Sequence, residues 1–221
     1  MTPEPSRLVL AFDTAGPYVC AAVLRGPDVL AHTIEDLSRG QAERLMPLLE
    51  ETLAAAGVGW DALDLLGVGI GPGNFTGIRI SVAAARGLAL ALERPAIGVS
   101  GLDAQAADLP RPCLATVAAR RGGIYVQLHD TDPGIFHPPA LLAEDALNGA
   151  LFPRGIPVTG DGAEALAART GGPVLAPTPL AIGIARLALL RADEAPGRPT
   201  PLYLRAADAA PARDRPPPIL E

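Results

Sequence analysis

Two cysteines in 221 residues, Cys20 and Cys113, cannot supply a disulfide framework. They lie far apart, each in an apolar run, and read as buried free thiols of a cytosolic protein. Histidine is scarce too. His32, His129 and His137 make no HxxxH pair and no cluster with the cysteines, so no metal centre is expected. Basic residues are outnumbered, 18 against 24 acidic, for a net charge of -6. A free-standing nucleic-acid binder would show a basic face instead. No apolar run reaches the roughly 18 residues of a membrane span without Gly, Pro or Arg, so no membrane partner is expected. Met1 to Arg7 has two prolines and no apolar core, which does not resemble a signal peptide. No glycine loop continues into the Lys-Ser/Thr of a Walker A motif, and no Ser-His-Asp order comes with a nucleophile elbow. What the chain does have is apolar mass: 49% of its residues are hydrophobic, enough to core one large or two small domains.

The stretch Leu65 to Leu92, LLGVGIGPGNFTGIRISVAAARGLALAL, organises the rest. Leu65 to Ile70 is a short branched run that predicts a buried strand. Gly71-Pro72-Gly73-Asn74-Phe75-Thr76-Gly77 breaks any regular element. From Ile78 to Leu92 the composition predicts a helix, ended by Pro95. Its only polar side chains are Arg79, Ser81 and Arg86, so it is apolar on more faces than one sheet can cover. The second cover is either its own domain or another chain, and Ala83, Gly87 and Ala91 form a smooth ridge for close approach.

Before this unit come three strands, Leu8–Phe12, Tyr18–Leu24 and Val29–Ile34, then a helix from Gly40 to Ala56 with Leu45, Leu48, Leu49 and Leu53 on one face. Pro47 lies in its first turn or kinks it. After it come a strand at Ala96–Val99 and a helix opened by Ser100. Pro110 and Pro112 mark a boundary. A shortened second set follows: strands at Cys113–Val117, Ile124–His129 and Ile156–Thr159, and helices at Ala143–Leu151, Ala163–Thr170 and Leu180–Arg191. This predicts an α/β fold with a lobe over residues 1–108, a second lobe over 109–205 and a mobile tail at 206–221.

Two places offer chemistry. Asp13-Thr14 ends the first strand in the manner of a phosphate-facing hairpin. The loop Gly71, Gly73, Asn74, Thr76, Gly77, with Arg79 just inside the helix, can aim backbone amides and the partial positive charge of a helix N-terminus, about half a unit, at an anion. The alternative for both is structural: a turn-capping aspartate, and glycines that let strand and helix pack closely. Asp161, in Gly160-Asp161-Gly162, ends a strand of the second set as Asp13 does in the first, and the two could face one cleft.

GIGPGNFTGIRISVAAARGLALAL resembles the signature of the bacterial TsaB (YeaZ) family. So do Leu10-Ala11-Phe12-Asp13-Thr14, Glu43-Arg44-Leu45-Met46-Pro47, Ile97-Gly98-Val99-Ser100, Ala119-Arg120-Arg121-Gly122 with Tyr125, Gly160-Asp161-Gly162 and Tyr203-Leu204-Arg205. Two departures stand out: Arg39-Gly40-Gln41 where the family often has His, and Ala118 where it has Asp. The resemblance implies two actin-like (ASKHA, ribonuclease-H-like) lobes, the second abbreviated. It implies a role in making threonylcarbamoyladenosine beside the tRNA anticodon. There the chain would be a non-catalytic scaffold that activates a TsaD-like transferase, together with a TsaE-like ATPase. It would touch tRNA only indirectly, could self-associate as a homodimer when alone, and would meet nucleotide only at the partner interface. The partner surface is expected on the two helices, at Leu45, Leu48, Leu49, Ala83, Arg86 and Leu90. The rival readings are an actin-like ATPase or kinase using Asp13 and the Gly71–Gly77 loop, and a glycoprotease-like hydrolase.

Overall fold

The computed structural model describes residues 6–119, 122–132, 134–143, 152–194 and 197–204. The expected helix at Ala143–Leu151, the tail at 206–221, Arg120-Arg121 and Arg205 lie outside them, apart from Ala143 itself.

Strands β1 (Leu8–Asp13), β2 (Tyr18–Arg25) and β3 (Asp28–Asp36) form an antiparallel meander. Helix α1 (Gln41–Ala56) then crosses back, and β4 (Leu65–Gly69) pairs parallel with β1. Helix α2 (Phe75–Leu92) leads to β5 (Ala96–Val99), parallel to β4. The sheet order is β3-β2-β1-β4-β5. The short helix α3 (Gly101–Gln105) follows, its N-terminus capped by Ser100. The second sheet repeats the scheme. Strands β6 (Cys113–Ala119), β7 (Gly123–His129) and β8 (Ala140–Ala143) are antiparallel, and β9 (Val158–Gly160) and β10 (Val174–Leu175) add in parallel on the β6 side. Helix α4 (Ala163–Thr170) connects β9 to β10, and α5 (Leu180–Leu190) closes the order. Both sheets thus have the order of an actin-like, ribonuclease-H-like lobe, and the second is built from shorter pieces.

Continuous apolar runs make β1 and β4 central strands, buried along their length. Alternation along β2 divides the first core. Val19, Ala21 and Val23 face α1 and α2 with Leu10, Phe12, Leu66 and Val68, whereas Cys20, Ala22 and Leu24 face α5 with Val9, Ala11 and Leu65. Helix α5 follows the second sheet in the chain but packs on β1, β2 and β4 of the first.

Several boundaries differ from the sequence reading. Helix α2 starts at Phe75, three residues before the expected Ile78, because Asn74 caps it. Strand β9 starts at Val158 and not at Ile156, since Pro157 has no amide to give the ladder. The short strands β8 and β10 carry no pattern long enough to predict. Pro47 lies inside α1, on its exposed side.

Helix α2 has the length and apolarity of a membrane-crossing segment, yet it buries Gly77, Ile78, Ser81, Val82 and Ala85 in the protein. Its other face is not covered by the described part of the chain. Ala83, Gly87 and Ala91 are exposed, and Leu90 is 82% exposed. Of the two covers expected for this helix, the chain's own core supplies one side only.

Candidate functional site

The turn after β1 and the loop before α2 meet in a closely packed joint. The Thr14 hydroxyl donates to the Gly77 carbonyl at 2.7 Å, and the Asn74 amide donates to the Ala15 carbonyl at 2.7 Å. A Cβ on Gly73 would fall 2.6 Å from that Ala15 oxygen, and one on Gly77 would overlap the Thr14 carbonyl. These glycines are there because two backbones touch, not because the turn needs a left-handed residue. Asn74 Oδ1 accepts from the Thr76 amide at 3.0 Å and the Gly77 amide at 3.4 Å, so a side chain already occupies the helix N-terminus that an anion would use. Thr14 is fully buried and Asp13 is 2% exposed. Asp13, Thr14, Gly73, Asn74 and Gly77 come together in this joint, in the geometry of the structural alternative, whereas Thr76 is exposed and Gly71 lies against Ile78 with its carbonyl accepting from the Gly101 amide.

Burial raises the Asp13 carboxyl to about 6, against hydrogen bonds from the Ala15 amide and the Tyr18 hydroxyl that pull it down. Burial and the neighbouring Asp13 push the Tyr18 phenol upward, with a smaller push from Asp161. Asp13 and Asp161 therefore stand near one phenol, but Asp161 is exposed on the turn after β9 while Asp13 is sealed.

Arg79 does not turn toward the loop either. Its Nε donates to the Tyr203 hydroxyl at 2.9 Å, and its guanidinium lies 3.8 Å from the centre of the Phe75 ring. The two rings are 4.9 Å apart. Arg86 Nε donates to the Pro199 carbonyl at 2.8 Å, and the Leu202 amide donates to the Ile70 carbonyl at 2.8 Å. Residues 199–204 thus form a strap held against α2 and the end of β4. No sequence signal tied Phe75 or Tyr203 to a surface cluster; the four-residue spacing of Phe75 and Arg79 was the one local hint.

The expected partner-facing residues divide. Ala83 and Leu90 are exposed on the open face of α2, and Arg86 is exposed at its edge, tied to the strap. Leu45, Leu48 and Leu49 are not on the surface. All three are at most 1% exposed and fill the core against β1 and β2, because the apolar stripe of an amphipathic helix turns to the sheet of its own domain. The exposed side of α1 carries Met46, Pro47, Glu50 and Ala54. Ala118 presents only a methyl at the exposed end of β6. Away from this surface, Gln105 Oε1 and His129 Nε2 are buried without a hydrogen-bond partner among the described residues. Burial and the charge of Arg111 lower His129 to about 4.

A family model described as "TsaD: tRNA N6-adenosine threonylcarbamoyltransferase" matches residues 32–133. The tRNA threonylcarbamoyladenosine biosynthesis protein TsaB of Escherichia coli is 36% identical over 135 residues, 58% of each chain. The TsaB protein of Bacillus subtilis is 33% identical over 58% of this chain and 57% of its own. The match thus spans little more than half the length of these curated relatives. An uncharacterised protein of Mycobacterium bovis is 35% identical over 92% of this chain and 94% of its own. Among solved structures, YeaZ from Pseudomonas aeruginosa superposes with a TM-score of 0.73 at 26% identity, covering 90% of this chain and 100% of that one. The activator of a 2-hydroxyisocaproyl-CoA dehydratase from Clostridium difficile, at TM-score 0.55 and 12% identity, shares the fold.

Proposed function

Because this chain belongs to the TsaB (YeaZ) family, we propose that it takes part in making threonylcarbamoyladenosine in tRNA, as a non-catalytic subunit that docks a TsaD-type transferase. The observation that carries this reading is the open face of α2. Ala83, Gly87, Leu90 and Ala91 are exposed along one side of the helix while its other side is core. Contiguous exposed apolar surface of this kind marks a partner site. Small residues in its middle let a second helix come close, and Leu90 is a ready anchor. The match to a TsaD model over residues 32–133 favours a partner built on the same lobe, which can present its own pair of helices to this pair.

A non-catalytic role is favoured by the closed joint around Thr14 and Gly77, where a kinase or ATPase would need an open phosphate site. Alone, the same face can pair with a second copy about a two-fold axis. The work would be cytoplasmic, with a TsaE-type ATPase joining the pair and tRNA met through the complex.

The test is co-purification with the TsaD-type subunit encoded in the same genome. The unaltered chain is expected to retain it, and Ala83→Glu and Leu90→Glu are expected to lose it while keeping a native circular dichroism spectrum. An unpaired charge buried at the contact costs several kcal/mol, and about 1.4 kcal/mol is tenfold in affinity. Folded variants that retain the partner normally would place the interface elsewhere.

A further inference from the structure

The exposed stripe of α2 is not apolar throughout. Phe75, Arg79, Ala83, Gly87 and Ala91 follow one another at four-residue intervals, all exposed, so they form one ridge along the helix. Its centre and C-terminal end are small and apolar. Its N-terminal end is an arginine lying on the Phe75 ring and hydrogen-bonded to the hydroxyl of the neighbouring Tyr203. Phe75 is 40% and Tyr203 43% exposed, so the cluster is on the surface and not part of the core.

Two residues fix the arginine. The Phe75 ring lies 3.8 Å from the guanidinium carbon, the Tyr203 hydroxyl takes the Nε hydrogen at 2.9 Å, and the Tyr203 ring centre is 6.0 Å away. Tyr203 is in turn placed by the strap, which Leu202 ties to Ile70 and Pro199 ties to Arg86. Among the described residues the two terminal nitrogens, Nη1 and Nη2, carry no hydrogen bond. A guanidinium already stacked and oriented has lost much of its rotamer freedom before any ligand arrives, and its outer edge is a planar fork matched to a carboxylate.

We infer that Arg79, set by Phe75 and Tyr203, is an anchor that takes an aspartate or glutamate side chain of the docked subunit through Nη1 and Nη2. This rests on the docking reading above and adds the chemistry of one contact to it. The ridge supports a protein carboxylate over an RNA phosphate. The anchor continues into Ala83, Gly87 and Ala91, which suit a helix and offer nucleic acid nothing. Tyrosine and arginine at the edge of a small-residue centre also match the composition of binding hot spots.

The experiment is calorimetric titration of the TsaD-type subunit into the unaltered chain, Arg79→Gln and Arg79→Lys, each at low and high salt. Arg79→Gln is expected to weaken binding about tenfold at low salt, the scale of a lost charge-assisted hydrogen bond, and to flatten the salt dependence. Arg79→Lys keeps the charge and loses the fork, and is expected to weaken binding severalfold. An acidic-to-amide change on the partner is expected to be non-additive with Arg79→Gln. If Ala83→Glu abolishes binding but both Arg79 variants bind like the unaltered chain with the same salt slope, the docking face stands and the anchor is overturned. If Arg79→Gln unfolds, Arg79→Lys alone decides, and unchanged affinity overturns the proposal. Unchanged assembly with weakened tRNA binding by the complex would mean a phosphate ligand and also overturns it. If the unaltered chain itself fails to bind, the docking reading falls and this inference falls with it.

Discussion

Thr14 Oγ1 donates to the Gly77 carbonyl at 2.7 Å, and through that bond the turn after the first strand is locked to the first turn of α2. The reverse side of the same contact is steric: a Cβ on Gly77 would lie 3.0 Å from the Thr14 carbonyl carbon and closer still to its oxygen. Gly77→Ala therefore has to push apart two backbones that are both buried. The expected loss is about 2–4 kcal/mol, larger than the roughly 1 kcal/mol that alanine would gain as a helix former. Urea unfolding should show a lower midpoint with an unchanged slope. A loss under about half a kcal/mol would mean the joint can relax, contrary to its packing.

Asn74 is the cap that starts α2 early, accepting from the amides of Thr76 and Gly77. Asn74→Ala is expected to cost about 1 kcal/mol, and Asn74→Asp to keep most of it because a carboxylate accepts the same amides and suits the helix dipole. Chemical denaturation of the two variants side by side checks this. Equal losses would show that the cap contributes nothing beyond local shape.

The buried carboxyl of Asp13 gives a pH signature. Its pKa rises from 3.8 to about 6 on folding, mainly by desolvation. Between those values the native state holds a proton that the unfolded state has lost, so the contribution of Asp13 to stability is complete below about pH 4, declines as pH rises to about 6, and stays low above. Asp13→Asn never ionises and retains an acceptor for the Ala15 amide. The variant should be more stable than the unaltered chain at pH 8 by up to about 3 kcal/mol, with the gain gone below pH 4. Thermal melts across pH measure it, and a pH-independent difference would contradict the buried ionisation.

Leu48 and Leu90 separate core from docking face. Leu48 is fully buried under α1 and Leu90 is 82% exposed at the end of α2. Leu48→Ala should cost about 2–5 kcal/mol, and Leu48→Glu should leave the chain unfolded. Leu90→Glu should change stability by less than about half a kcal/mol while removing the partner. A melting temperature and a pull-down for each variant suffice. A destabilised Leu90→Glu protein would show that the end of α2 is covered by the chain itself.

Much of this was legible in the residues. Branched apolar runs at Leu8–Phe12 and Leu65–Val68, the glycine and proline break at Gly71–Gly77, and the uninterrupted alanine and leucine helix after it are local patterns. Each imposes its element through backbone preference and side-chain period, with little help from the rest of the chain. The same patterns, repeated in shorter form after Pro112, foreshadowed the second sheet, and the length of the Gly69–Leu92 motif carried the family. Elements two to four residues long, β8 and β10, were not legible because their strand geometry comes from the neighbour they pair with.

What remained open in the sequence was direction. A leucine stripe at Leu45, Leu48 and Leu49 says that one face of α1 must be covered, not by what. The chain's own sheet takes it, because a tethered surface meets the helix at far higher effective concentration than any separate subunit. The glycines of the loop could equally have faced an anion or another backbone, and only the arrival of Thr14 and Ala15 from the first strand decided for the backbone. Arg79 and Tyr203 are 124 residues apart, and no period or local preference links them. Their hydrogen bond exists because α5 returns to the first sheet and brings the strap after it across α2. The sequence by itself determined the longer elements, the repeat and the family. The tertiary structure alone decided which apolar face is core, which is left open, and where an arginine is held at its edge, because those outcomes depend on which distant surfaces the chain brings into contact.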